Sequence, residues 1–276
     1  MRFIQTSDAV RFARMTSEEL RASFLVDELF HSGQIDLVYV DLDHAVVGSA
    51  VPQEEPLILQ SDPDLCARYF TQRREIGVIN IGESGVVLVD GVTYDLAFLD
   101  SLYIGRGCED ISFMSLNPNA PAEYFLLSYP AHTSYPPSRI DANRTTPIVM
   151  GSPRTADLHR TTRLIHQDGV RSCQLVMGFT EVAMGSAWNT MPAKTHKRRS
   201  EIRLYLEMKP EDRVLHLIGP PQETRHLMVA NKEAVISPAW SINSGVGTGN
   251  YIYCWGLGGE NHGCDDTESI PASQLR

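Results

Sequence analysis

No C-x-x-C pair occurs in the 276 residues, which removes the usual sequence signature of zinc ribbons and dithiol redox centres. The five cysteines, Cys66, Cys108, Cys173, Cys254 and Cys264, are odd in number and widely spaced, and are read as reduced thiols. No apolar run is long enough to span a bilayer. The N-terminal stretch "MRFIQTSDAVRFARMTSEELRASFLV" carries charges every few residues and has no apolar h-region. A cytoplasmic protein with no membrane partner is therefore the expectation. Positive charge is also scarce: 24 Lys and Arg face 34 Asp and Glu, a net charge of -10. That balance argues against nucleic acid as a partner. A small anionic substrate remains compatible with it, held by a few local arginines.

The chain is long enough for one large or two modest domains, each with a real core. Thr16 in "TSEELRASFLVDELF" is placed as an N-cap, with Glu19 three residues on and apolar residues at helical spacing, which predicts a short helix. From "IDLVYVDLDHAVVGSAV" onward, short β-branched runs are broken by Gly, Pro and Asp, and Asp90-Gly91 is a hairpin-turn signal. The expected class is mainly β with a few short helices. The segment "QRREIGVINIGESGVVLVDGVTYDLAFLDSLYIGRG" lines up loosely with the one that starts at "KRRSEIRLYLEMKPEDRVLHLIG", each opening on Arg-Arg-(x)-Glu. Any two antiparallel sheets can give such a match, so duplication stays open on this ground alone. Two double-sheet jelly rolls, the architecture of cupins, fit the pattern. The expected division is residues 1–135 as an N-terminal structural barrel, 136–165 as a Pro-, Ser-, Thr- and Arg-rich crossover, and 166–276 as a C-terminal barrel that carries the site cavity.

The stretch "PAKTHKRRSE" resembles a cupin metal strand with one ligand missing. His-x-His followed by Glu is a familiar cation-binding pattern, but here Lys194 stands two residues before His196, with Glu201 beyond. Residues two apart on a strand share a face. The fourth cupin ligand is usually a His five residues after a Pro on a late strand, and "SPAWSINSG" puts Asn243 five residues after Pro238.

The motifs "WNTMPAKTHKRRSE", "QETRH", "AVISPAWSINSGVGT", "RREIGVINIG", "PAHTSYP" and "GEN" at 259–261 are similar to those of the 5-keto-4-deoxyuronate isomerase family, nearly end to end. That resemblance implies a bicupin of two double-stranded β-helix barrels, a homohexamer, and uronate breakdown by ketol isomerisation. It also implies a zinc in the C-terminal barrel, held by His, His, Glu and His. Those ligands fall on Lys194, His196, Glu201 and Asn243, so only His196 and Glu201 match. A lysine ammonium has no lone pair and repels a cation, and an amide carbonyl is a weak zinc ligand. The expected zinc site is weak or absent.

Three readings follow for the altered site. In the first, an isomerase acts on a small keto sugar acid through an enediolate, with Lys194 and Glu201 as the catalytic pair and the ammonium as a fixed positive charge. In the second, the chain is a diverged enzyme, biosynthetic in role, that uses Lys194 directly as base or nucleophile on another keto or polyhydroxy substrate. In the third, it is a non-catalytic oligomeric binding protein. Glu223, Arg225, Asn243 and Trp188 are candidate substrate contacts, Arg225 because a guanidinium suits a sugar-acid carboxylate. Glu223 and Arg225 could equally pair with each other. Arg198 and Arg199 are read as a solvated or interfacial turn pair. His216 and His226 lie in apolar strands outside the metal motif.

Overall fold

The computed structural model describes residues 1–260 and 267–276; Asn261 of the "GEN" motif and Cys264 lie outside the described residues. The chain is mainly β, as its short branched runs require. The one two-turn helix among the described residues, Ser17–Phe24, starts at the expected capping box. Thr16 Oγ1 accepts from the Glu19 backbone N–H at 3.2 Å, and the Glu19 carboxylate accepts from the Thr16 N–H at 2.7 Å. The Asp90-Gly91 turn joins strands Gly85–Val89 and Val92–Leu96, with both turn residues at positive φ, 47° and 82°. Those values suit the right-handed twist of a two-residue hairpin.

Among the described residues four sheets form two pairs. The first pair joins a seven-stranded sheet, in order Arg2–Ile4, Ile35–Val40, Val46–Ala50, Tyr124–Pro130, Arg74–Asn80, Ser101–Ile104 and Ser138–Ile140, to a four-stranded sheet. The second has a seven-stranded sheet in the order Ile148–Met150, His159–Ile165, Val176–Val182, Ile252–Gly259, Arg199–Leu206, Ala234–Ser237 and Leu25–Val26, and a five-stranded partner. Both large sheets follow one plan. Three early strands are followed by the last barrel strand, then a central strand, a later strand, and an edge strand drawn from outside the barrel. The loose echo between the halves is thus matched by topology.

By compactness the chain divides into one unit of Met1–Phe3, Glu28–Thr146 and Arg163–Met177, and another of Ile4–Asp27, Pro147–Thr162 and Gly178–Arg276. The N-terminal helical segment therefore groups with the later barrel. Phe12, Phe24 and Trp240 meet edge to face at 5.2–6.0 Å, and Arg21 donates to the Met228 carbonyl at 2.9 Å.

The interior of the first barrel is apolar. On strand Arg74–Asn80, Ile76 and Val78 join Val87, Val89, Leu102, Ile104, Phe113 and Leu126 in one buried cluster. Glu75, the residue that echoes Glu201 in sequence, faces the other way because side chains alternate along a strand. Its buried carboxylate accepts N–H bonds from Cys173, Gln174 and Leu175 at 2.7–2.9 Å and the Tyr103 hydroxyl at 2.8 Å. Glu75 thus pins segment 163–177 to the outside of its sheet.

Candidate active site

The second barrel has a polar interior. On strand Arg199–Leu206 the sequence "EIRLYL" alternates, so Glu201, Arg203 and Tyr205 share the inner face. Ser237 lies directly opposite Glu201 on strand Ala234–Ser237. Across the barrel, Lys194 on strand Trp188–Thr195 lies opposite Asn243 on Ile242–Gly247. Opposed residues of an antiparallel pair project to the same side. Ala193, next to Lys194, packs on the opposite face with Ile242 and Ile270. Lys194 therefore points inward, half-buried. Between Asn189 and Lys194 the register shifts, and Thr190 adopts φ 57°, a left-handed conformation rare for a β-branched residue.

Hydrogen bonds tie this interior together in one direction. The Tyr205 hydroxyl lies 2.6 Å from His216 Nδ1, and His216 Nε2 lies 3.5 Å from Ser237 Oγ. Ser237 donates its proton to Asn243 Oδ1 at 2.9 Å, and Asn243 Nδ2 donates to Glu201 Oε2 at 2.8 Å. Since the Ser237 proton is committed, Ser237 accepts from His216 Nε2–H, and Nδ1 then accepts from Tyr205. Arg203 Nε closes the chain on Glu201 Oε1 at 2.6 Å and lies over the Tyr253 ring at 5.1 Å.

Burial opposes charge on both Glu201 and Arg203, but their contact prevails. The Glu201 carboxyl is held well below the usual carboxylate range by Arg203 and His196, and Arg203 is held above its ordinary value. His216 is pushed down to about 3 by burial, with Arg203 adding to the effect, so it is neutral at pH 7. Its unfolded value of 6.5 lies above the folded one, so the unfolded chain binds the extra proton between pH 6.5 and about 3. Stability from this residue is fully present above pH 6.5 and falls with pH across that window, by about 1.4 kcal/mol per unit. Urea unfolding of His216→Gln is expected to show a shallower loss between pH 6.5 and 5 than the parent. Equal slopes would remove His216 as the source.

The same bonds decide whether the residues suit a zinc ion. The Arg199 guanidinium lies 3.5 Å from His196 Nδ1 and can only donate, so the His196 proton sits on Nε2, which is 3.4 Å from Glu201 Oε2. Both Glu201 oxygens and both polar atoms of Asn243 are engaged. Among the described residues no group of three or more His, Cys, Asp or Glu converges as a metal site. The arrangement does not fit the zinc that the resemblance implied.

The structure brings Lys194, His196, Glu201 and Asn243 to one end of the barrel but does not join Lys194 to Glu201. Arg203 takes that place, and among the described residues the Lys194 side chain has no hydrogen bond or ion pair. Arg199 is a correction to the solvated-turn reading. It is 1% exposed, because it opens the central strand instead of the turn, whereas Arg198 stays exposed near Glu260 at 3.9 Å. Arg225 stands apart, donating to the Met15 carbonyl at 3.0 Å, and Glu223 is exposed in a turn and makes no pair with it. Trp188 is half-buried at the start of its strand. The neighbouring Asn189 is buried, and its Oδ1 accepts from the Tyr253 hydroxyl at 2.7 Å. Two buried donors, Arg203 Nη1 and Asn189 Nδ2, have no acceptor among the described residues. Arg203, Tyr205, His216 and Ser237 were not singled out as site residues by sequence reasoning. The alternation in "EIRLYL" was the available signal.

Two jelly-roll barrels in one chain, one filled with aliphatic side chains and the other with a hydrogen-bonded polar cluster, define a bicupin. The profile of the KduI/IolB family matches residues 25–272, and the chain belongs to that family. It is 44% identical over 266 residues to the 4-deoxy-L-threo-5-hexosulose-uronate ketol-isomerase of Caldicellulosiruptor bescii, covering 96% of each chain. It is 45% identical over 263 residues to the enzyme of the same name from Halalkalibacterium halodurans, covering 95% of each. Among solved structures, an IolB-like protein from Salmonella typhimurium LT2 superposes with a TM-score of 0.71 at 12% identity, over 90% of this chain and 97% of that one. Oxalate decarboxylase from Lactobacillus farciminis gives 0.60 at 8% identity, over 82% and 79%. Those two likenesses speak for the fold alone.

Proposed function

We propose that this chain is a ketol-isomerase-type enzyme for a small keto sugar acid of the 5-keto-4-deoxyuronate kind, working without a tightly held metal. The observation that carries the reading is Lys194, a half-buried cation on the inner face with no protein partner among the described residues, beside a Glu201 already neutralised by Arg203. Isomerisation removes a proton from the carbon beside a carbonyl, leaves an enediolate, and returns the proton to the neighbouring carbon. The enediolate oxygens need positive charge, which the Lys194 ammonium supplies. Arg203 Nη1 and Asn189 Nδ2 are donors that substrate oxygens complete. Glu201, kept ionised, orients His196 as the proton carrier.

On this reading the second barrel carries the reaction and the first takes no part in it; the expected bounds shift, because Ile148–Met150 and His159–Ile165 are strands of the second barrel's large sheet and Arg163–Met177 groups with the first unit. A cytoplasmic location, expected from the sequence, and a homohexamer, implied by the family resemblance, belong to the same reading. No helix among the described residues is long and apolar enough to cross a membrane.

The test is turnover of 5-keto-4-deoxyuronate by the purified protein with and without a chelator. Activity is expected to survive chelation and to fall about 100-fold in Lys194→Ala, the cost typical of losing one donor to an oxyanion. Lys194→Arg should recover part of it. Absence of turnover, or turnover only with added zinc, would sink the proposal. A second reading, binding without turnover, draws on the closed hydrogen-bond chain around Glu201 and predicts indifference to both Lys194 variants. A third, Lys194 as nucleophile toward a keto substrate, predicts a borohydride-trapped adduct on that residue.

A further inference from the structure

At one end of the first barrel a cavity of about 500 Å³ lies over the apolar core, within the range of small-molecule sites. Its buried charged element is Arg74, 7% exposed, on the same strand face as Ile76 and Val78. Arg74 Nε donates to Ser128 Oγ at 3.1 Å, and Nη2 donates to the carbonyls of Ser128 and His44 at 2.9 and 2.6 Å. Nη1 donates to no atom among the described residues, and no carboxylate there forms an ion pair with the guanidinium; the rim acids Asp41 and Asp64 do not reach it. A buried cation without a counter-charge is costly, and the cost shows in Arg74 itself, which burial pushes down to about 10. Arg73 and His44 also line the space with the two acids, and the remaining wall is aromatic and aliphatic. Phe3 and Tyr39 stack with ring centroids 5.1 Å apart at 13°, and Phe70 and Leu65 also line the space.

We infer that the mouth of the first barrel is a second ligand site, separate from the Lys194 cluster, for a small organic carboxylate with a flat apolar body. The carboxylate would meet Arg74 Nη1 and the body would rest on Phe70 and the Phe3–Tyr39 stack. Neither half suffices alone: the guanidinium supplies the charge match, and the aromatic wall supplies the area removed from water.

The probes are benzoate, benzyl alcohol and inorganic phosphate, followed by calorimetry and ligand-detected NMR on the full chain. Benzoate is expected to bind saturably. Benzyl alcohol should bind at least about tenfold more weakly, the worth of one hydrogen bond to a charged group. Phosphate, which lacks the apolar body, should also be weaker than benzoate. Arg74→Gln should lower benzoate affinity at least about tenfold. Ala67→Phe, at a half-buried wall position away from the core, should block it by filling the mouth. No benzoate binding, equal binding of benzyl alcohol or phosphate, or benzoate binding untouched by Ala67→Phe would each overturn the site. If Arg74→Gln does not fold, Ala67→Phe and the uncharged probe decide. None of these readouts depends on turnover in the second barrel.

Discussion

Arg203→Met is expected to destabilise the protein by about 3–5 kcal/mol, the range found when one partner of a buried ion pair is removed. Arg203 and Glu201 meet at 2.6 Å with side chains 5% and 6% exposed, so neither charge has water to fall back on. Without the guanidinium, Glu201 keeps only the amide of Asn243 and the weak contact of His196, and burial then drives its carboxyl upward. The double variant Glu201→Gln with Arg203→Met removes both charges. It should recover a large part of the loss, because replacing a buried pair is far milder than orphaning one member. Chemical denaturation of the two single variants and the double gives the coupling directly. A single Arg203→Met variant within about 1 kcal/mol of the parent would mean that the pair is not the electrostatic centre of the barrel.

Local rules were read correctly where the signal itself was local. The Thr16–Glu19 box and the Asp90-Gly91 turn need only a few adjacent residues, and both form as expected. The inward convergence of Lys194, His196, Glu201 and Asn243 was legible because strand parity and the spacing after Pro238 fix it once the barrel is assumed. What escaped was which group pairs with which. Lys194 and Glu201 looked like the natural ion pair, but Arg203 is two residues from Glu201 on the same face and needs no cross-barrel reach. His216 was set aside for its apolar neighbours, yet Leu215 and Leu217 point to the other face and leave the imidazole inside. The Arg-Arg-(x)-Glu echo is inexact at Glu75. The second barrel has one more residue between its arginines and its glutamate, so a one-residue offset turns Glu75 to the outer face. The grouping of Ile4–Asp27 with the second unit had no local signal, since edge-strand pairing of Leu25–Val26 with Ala234–Val235 links positions some two hundred residues apart.

Restoring both imidazoles, in Lys194→His with Asn243→His, is expected to turn a site that does not fit zinc into one that binds it stoichiometrically. Asn243 now holds Glu201 Oε2 through its amide, so its replacement frees that oxygen, while Arg203 still fixes Oε1 and keeps the carboxylate ionised. Removal of Lys194 takes away the ammonium that opposes a cation. The two new side chains arise from directly opposed positions on neighbouring strands, with His196 two residues along from one of them. Three imidazoles and a carboxylate oxygen then suit tetrahedral zinc. Either single variant should bind far more weakly: Lys194→His leaves Glu201 capped by Asn243, and Asn243→His leaves the lysine charge in place. Metal analysis after zinc loading and dialysis measures the stoichiometry. Thermal unfolding measures linkage, which at zinc one hundred times its Kd amounts to about 2.7 kcal/mol of added stability. A folded double variant that retains no zinc would show that these four positions do not converge on one coordination sphere, and the proposal that Lys194 and Asn243 occupy a former metal site would fall with it.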